Sequence, residues 1–454
     1  MRRTPGSVMA NPHTKTAYFL GAGASKADRF PLTRELLGAV SARIFDAKGK
    51  RRNSGSELAE FLTTVFSVRL ENLKSAARAW NSLVEAISGG KHCAARTPHE
   101  IPNLTDILSS LDILLSEEST IGAGRSSGRA LKGSFLATAR AQIVRAIAEG
   151  FRSLHDSTSN LDQLTVGRFV RALGTDDVII TTNWDILVDT ARCMRFGATE
   201  SDYGTDADLA GGEASRLKCW EDPALARLRN EGLESEIERP RKFPKRPKLL
   251  KLHGSLNWLH CPRCQRLRID VKRVIAHCAR SEGAAAGVEP CDCGVAFFES
   301  VLVTPTFVKS YRNRHLMNIW STAQRELAGV SRWVFVGYSL PDDDIHIKTL
   351  LLKAKQMRAD RGAELKIVVV DHRRDAQLEE RYGRLLGECE FDFRGFERFV
   401  GRLERERRPV DKRRGKTRLQ AALKRREDQS RRRVENARRR RKRRQLLKAA
   451  EKRA

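Results

Sequence analysis

The chain has 454 residues, a formal net charge of +29 and a pI of about 10.2, with 40% hydrophobic and 31% charged residues. That length is ample for one large core or two domains, and the balance is that of a soluble globular protein with a charge excess. No run of about 18 apolar residues occurs, which excludes a membrane-spanning helix.

Residues 1–15 form a leader whose two arginines have no apolar run behind them. It is not a secretory signal, and a cytoplasmic protein is expected. Thr16–Leu20 (TAYFL) is a short run rich in strand formers, closed by Gly21-Ala22-Gly23-Ala24-Ser25. Leu32–Val40 then carries apolar residues at helical spacing, so strand, glycine turn and helix are expected. From about residue 46 to 162 the pattern is helical. Leu104, Ile107, Leu108, Leu111 and Leu114 recur at three and four, as do Ile143, Ile147, Phe151 and Leu154. A Gly/Ser-rich basic loop (122–134) joins them. This block reads as a helical insertion that could serve as a partner or oligomer surface.

Strands then resume at Asp177–Thr182, Lys248–Leu252, Ser300–Thr304, Arg332–Val336 and Lys366–Val370, with helical segments at Asn318–Ala328 and Ile345–Met357. Continuous Val/Ile-rich strands suit a parallel sheet buried on both faces. The expected fold is α/β, doubly wound and Rossmann-like, with a helical insertion and a small metal-binding module. Ligands of such sheets bind beyond the carboxyl ends of the strands. The residues found there are Gly21-Ala22-Gly23-Ala24-Ser25, Thr182-Asn183-Trp184-Asp185, His253-Gly254-Ser255, Gly337-Tyr338-Ser339 and Asp371.

Each motif has a plain alternative. Gly21 and Gly23 could present backbone amides to a phosphate, with Ser25 as a further donor, or could simply make a tight turn. A dinucleotide fingerprint needs a third glycine where Lys26 stands, which disfavours an ordinary dehydrogenase. Asn183 and Asp185 could act chemically or form an Asx turn and helix cap. His253 could be a base near neutral pH or a turn residue.

Together the motifs resemble the sirtuin-like family. Gly21-Ala22-Gly23-Ala24-Ser25, followed by Pro31, resembles the sirtuin opening of GAG, a variable residue, Ser and a Gly-Ile-Pro loop. Thr182-Asn183-Trp184-Asp185 resembles the Gln-Asn-Ile-Asp segment. Leu252-His253-Gly254-Ser255 resembles the segment bearing the catalytic histidine, and Gly337-Tyr338-Ser339-Leu340 the Gly-Thr-Ser-Leu turn. The order agrees over about residues 16–400. The wording, with Pro341-Asp342-Asp343-Asp344 after Leu340, points to the divergent prokaryotic branch. The resemblance implies cleavage of the nicotinamide–ribose bond of NAD, with His253, Asn183 and Asp185 as catalytic residues. It implies NAD contacts from Gly21, Ala22, Gly23, Ser25, Pro31, Arg34, Thr182, Gly337, Ser339 and Asp371. Water captures the sugar in an NAD hydrolase of the defence type, which is expected here; an acyl-lysine oxygen captures it in a deacylase. An inactive nucleotide-binding or nucleic-acid-binding module is the third possibility. Two departures stand out. Leu32-Thr33-Arg34 replaces the sirtuin Asp-Phe-Arg, with Arg34 as its stand-in, and Asp371 stands where Asn is usual.

Five of the nine cysteines lie between Cys261 and Cys293. Cys261, Cys264, Cys291 and Cys293 make two close pairs that suit a closed structural Zn²⁺ site within a module at about 256–299. His277 or Cys278 could replace one ligand. Cys93, Cys193, Cys219 and Cys389 read as ordinary thiols. The tail, 401–454, holds from Arg402 onward 25 Lys and Arg against 7 Asp and Glu, a net +18, and no aromatic residue. Nucleic-acid backbone is the expected partner; an anionic membrane surface or a solvated tail is the alternative.

Overall fold

A computed structural model describes residues 15–52, 55–88, 102–117, 133–196, 203–209, 246–279, 291–295, 298–304, 306 and 313–407. The leader up to residue 14, the loop at 122–132 and the tail from 408 lie outside the described residues, as do Cys93 and Cys219. Residues 1–210 and 246–404 belong to one unit; residues 211–245 and 405–454 belong to a second, of which only Arg405–Arg407 are described. No helix among the described residues is long and apolar enough to cross a membrane.

Among the described residues, ten strands form two sheets. The first contains β1 (Thr16–Leu20), β2 (Val178–Thr181), β4 (Lys248–Lys251), β8 (Arg332–Val336), β9 (Lys366–Val370) and β10 (Glu390–Asp392), in the order β10-β9-β8-β1-β2-β4. Every neighbouring pair in it is parallel. β3 (Asp208–Leu209), β5 (Gly254–His260), β6 (Leu267–Ile269) and β7 (Glu299–Leu302) form the second sheet, ordered β3-β6-β5-β7.

All five residues of β1 and all four of β2 are buried. That is what a parallel sheet covered on both faces demands. Alternate residues serve opposite faces. Tyr18 meets Phe169 edge-on at 5.1 Å, while Phe19 packs on Phe335 and Tyr338.

The helices in chain order are α1 (Ala22–Lys26), α2 (Leu37–Ile44), α3 (Ser56–Val65), α4 (Leu70–Ser88), α5 (Leu104–Ser116), α6 (Gly133–Asp156), α7 (Thr165–Ala172), α8 (Leu187–Phe196), α9 (Arg314–Gly329), α10 (Ile345–Ala359), α11 (Ala376–Leu386) and α12 (Phe396–Glu406). The block at 46–162 is helical in α3 to α6. It packs back on α2 through Trp80 of α4, which fills the space left by Gly38 of α2 and Gly150 of α6.

One expected strand changes place. The apolar run at Ser300–Thr304 predicts a strand of the parallel sheet. The strand instead spans Glu299–Leu302 and pairs antiparallel with β5 in the second sheet. A short apolar run reports burial, not the partner it pairs with. The sixth parallel strand is β10, whose residues Glu-Phe-Asp give no apolar run.

Candidate functional site

The parallel register puts the motif residues in one row. Lys251, Thr181, Leu20, Val336, Val370 and Asp392 are aligned across the sheet, so the chain leaves β4, β2, β1, β8 and β9 at one edge. Read across, these exits carry His253, Asn183, Gly21, Gly337 and Asp371, a row about 19 Å long at strand spacing. The order of connection reverses at β1. β2 and β4 follow on one side, and β8, β9 and β10 on the other. The crevice between β1 and β8 is therefore the switch point where such sheets bind ligands.

The glycines are required there by close packing of two backbones. The Gly21 N–H donates to Val336 O (3.0 Å), and the Gly23 N–H to Gly337 O (2.9 Å). A Cβ on Gly21 would lie 2.5 Å from the Gly337 oxygen, and one on Gly337, at φ +56°, would lie 2.4 Å from the Ala24 nitrogen. Ala22 and Gly23 stay half-exposed while Ala24 and Ser25 are buried.

Beside the crevice, the turns after β1 and β2 are bonded together. The Asn183 Nδ2 donates to Gly21 O (2.9 Å) and to Ser25 Oγ (3.0 Å). The Ser25 hydroxyl in turn donates to Asp185 Oδ2 (2.7 Å). Asp185 Oδ1 accepts the Leu187 N–H (3.2 Å) at the start of α8. Burial pushes the Asp185 carboxyl above its ordinary range, opposed by the nearby Lys251 ammonium. Thr182 and Asn183 are half-buried just past β2, and Thr181 Oγ1 accepts the Asn183 N–H (3.0 Å).

His253 is buried, and its carbonyl accepts the Val303 N–H (2.9 Å). Gly254, at φ +72°, follows because a Cβ there would lie 1.9 Å from the Val301 oxygen. Ser255 Oγ donates to Trp184 O (3.3 Å), bringing the histidine segment against the Asn183–Asp185 turn.

The remaining predicted residues are more dispersed. Pro31 is buried. Arg34 is exposed on a 3-10 turn (Thr33–Glu35), and the residue that fixes this loop is Glu35, paired with Lys26 and accepting the Leu32 N–H. Ser339 is exposed, and its carbonyl accepts from Arg381. Tyr338 is buried and donates to Asp344 Oδ2 (2.7 Å). Asp371 Oδ1 accepts the His372 N–H (2.7 Å) and lies 2.8 Å from His372 Nδ1.

Two features are not apparent from the motifs. Asp28 accepts the N–H groups of Thr165 (2.7 Å) and Val166 (2.8 Å), so the loop after α1 caps α7. Lys251 is buried and bonded to Asp189. A lysine inside an otherwise apolar run is the sequence signal for such a pair, because a buried ammonium needs a partner.

The four cysteines converge. Cys261 and Cys264 sit on the turn between β5 and β6, and all four sulfurs lie within 4.8 Å of one another. Cys261 Sγ is 3.4 Å from Cys293 Sγ, and Cys264 Sγ is 3.5 Å from Cys291 Sγ. Sulfurs at about 2.3 Å around a tetrahedral Zn²⁺ lie about 3.8 Å apart, so the set fits that ion. The Val295 backbone N–H holds the Cys293 thiol down to about 7, and burial pushes Cys291 up to about 12. His277 and Cys278 stand outside the cluster. His277 Nε2 faces Arg152 Nη1 at 2.9 Å, and Cys278 packs with Leu259, Ile275 and Phe298.

A cavity of about 640 Å³ lies away from these motifs, against α6, Ala276 and β7, with Arg43, Arg140 and Arg145 in its wall. Those guanidiniums are paired with Glu149 or Asp112, and none of the motif residues lines it.

No protein-family model and no curated protein matches the chain. Among solved structures it is similar to a Sir2 homolog–NAD complex at 11% identity, over 87% of this chain and 90% of that one, with a TM-score of 0.38. It is similar to a Sir2 homologue mutant–ADP-ribose complex at 11% identity, 87% and 93% coverage and a TM-score of 0.39. It is also similar to Sir2Tm bound to a propionylated peptide, at 12% identity, 86% and 92% coverage and a TM-score of 0.33.

Proposed function

We propose that the chain is a SIR2-like enzyme that cleaves the nicotinamide–ribose bond of NAD⁺, and that water receives the sugar. The observation that carries this reading is the chain of hydrogen bonds Gly21–Asn183–Ser25–Asp185, which joins the turns after β1 and β2 beside the crevice where strand order reverses. The in-order sirtuin-like motifs support it.

In this reading Asp185 holds the nicotinamide carboxamide, whose N–H groups its carboxylate can accept. Both amide hydrogens of Asn183 are committed to Gly21 and Ser25. Its carbonyl oxygen is thus the atom that orients a ribose hydroxyl or the attacking water. Loss of nicotinamide neutralises the ring and leaves an oxocarbenium-like sugar. The water oxygen bonds to that carbon and gives its proton to His253, yielding ADP-ribose. Gly21, Ala22, Gly23, Ser25 and Gly337 face the dinucleotide along the crevice, and Asp371 accepts the distal ribose hydroxyls. Pro31, Arg34, Thr182 and Ser339 complete the surround. Zn²⁺ on Cys261, Cys264, Cys291 and Cys293 is structural. The helical insertion and the motif wording support the defence-type hydrolase over the deacylase, and the basic tail supplies affinity for nucleic acid.

The test is nicotinamide release from NAD⁺ by the full chain, with and without acyl-lysine peptide and nucleic acid. Release without peptide, abolished in His253→Ala and Asn183→Ala, is expected. Release only with peptide would make the protein a deacylase. No release under any condition would leave a binding module.

A further inference from the structure

β4 is one of the two edge strands of the parallel sheet among the described residues, and it ends in Lys251, two residues before His253. The Lys251 side chain is 1% exposed and that of its partner Asp189 is 0% exposed. An ammonium and a carboxylate this far from water stabilise a fold no better than an apolar pair of the same size. Their hydrogen bonds are specific, however. Lys251 Nζ donates to the backbone oxygen of Asp185 (2.5 Å) and to Asp189 Oδ2 (2.8 Å). Asp189, on α8, also accepts the Tyr203 hydroxyl (2.9 Å) and Asn257 Nδ2 (3.2 Å). Asn257, on β5, donates as well to Asp270 O (2.9 Å).

We infer that Lys251 is a positioning residue, whose buried ammonium fixes the Asn183–Asp185 turn relative to the strand end that carries His253. This rests on the proposed cleavage of NAD⁺. The ammonium reaches three elements at once: the end of β4, the turn after β2, and α8. Through Asp185 and Ser25 the same network continues to the glycine turn. Displacing the ammonium therefore frees the Asp185 carbonyl and, with it, the turn that holds both proposed catalytic side chains. Lys251 never needs to touch the substrate.

The charges acting on the Asp185 carboxyl come from several elements. Lys251 favours its ionised form. Asp189 of α8 opposes it. Asp28, after α1, and His155, on α6, are also coupled to it. Removing Lys251 leaves the two acids and takes away the ammonium.

The experiment compares the full chain with Lys251→Met and with Lys251→Met combined with Asp189→Asn. The double variant removes both charges, so the fold is kept if the single variant is too unstable. The double variant should unfold at a temperature close to the wild type, yet lose at least tenfold in kcat for nicotinamide release with KM changed by less than threefold. In the folded Lys251→Met single variant, which keeps Asp189, the acid limb of the pH profile should move toward neutral. Amide hydrogen exchange over residues 183–189 should accelerate while that of β8 and β9 does not. Wild-type kcat in the double variant, or unchanged exchange over 183–189, would overturn the assignment. If the wild type releases no nicotinamide, the proposed function fails, and the exchange measurement still decides whether Lys251 fixes the turn.

Discussion

The Ser25 hydroxyl donates to the Asp185 carboxylate across 2.7 Å, joining the turn after β1 to the turn after β2. Both side chains are buried. A hydrogen bond to a charged group is worth about 1.5–3 kcal/mol. Ser25→Ala should therefore destabilise the fold by about that amount and, because the Asn183 and Asp185 contacts are lost together, lower kcat/KM for nicotinamide release about tenfold to a hundredfold. Steady-state kinetics on the folded variant checks it.

Asn183 offers a sharper distinction. Its Nδ2 donates to two acceptors, Gly21 O and Ser25 Oγ. Asn183→Asp keeps the size and the outward oxygen but loses both donors and sets a carboxylate against a carbonyl. It should be as inactive as Asn183→Ala. Activity within about threefold of wild type would mean that the donor pair does not set the geometry, since that factor is below about 1 kcal/mol.

Two glycines should respond to alanine with opposite signs. Gly254 has φ +72° and no room for a Cβ, which would meet the Val301 oxygen at 1.9 Å. Gly254→Ala should cost more than about 2 kcal/mol. Gly383 lies on the exposed face of α11 with nothing within 4 Å of its Cβ position. Gly383→Ala should stabilise by about 0.5–1 kcal/mol. Denaturant unfolding measures both.

The cysteine cluster predicts one Zn²⁺ per chain by elemental analysis. Structural zinc sites contribute on the order of 10 kcal/mol, comparable with the whole stability of an ordinary domain, about 5–15 kcal/mol. Chelation, or Cys264→Ser, should remove the metal and unfold the β5–β6 turn at lower temperature. Retention of zinc by Cys264→Ser would point to a different ligand set.

Stability should fall on mild acidification. His315 is buried between Thr205 Oγ1 (3.0 Å) and Gln265 O (2.6 Å). The carbonyl only accepts, so Nε2 carries the proton and Nδ1 takes the Thr205 hydroxyl. Burial, first, pushes the His315 pKa down, and the same holds for His155. A base with a depressed folded pKa binds fewer protons folded than unfolded. Its contribution is complete above the unfolded value of about 6.5 and is lost as pH falls through the lower folded value. His315→Gln should flatten that decline in an unfolding series between about pH 7 and 5.

Much of the fold could be read from local pattern, because β1, β2, β8 and β9 are buried on both faces and so are continuously apolar. β10 escaped because only Asp392 of its three residues is fully buried. The run at Ser300–Thr304 misled because sheet membership depends on partners distant in sequence, here β5. At the site, the motifs located the strand ends. They did not disclose that Gly21, Gly23 and Gly337 are needed against one another. Nor did they disclose that Glu35, rather than Arg34, anchors the loop after α1. Such pairings appear only when the turns meet.

The most direct measurement is nicotinamide release from NAD⁺ by the purified full chain, without acyl-lysine peptide, beside Asn183→Ala and His253→Ala variants shown to be folded. The account predicts equimolar nicotinamide and ADP-ribose from the wild type and at least a hundredfold loss, about 2.7 kcal/mol of barrier, in each variant. Turnover that survives both substitutions would contradict it.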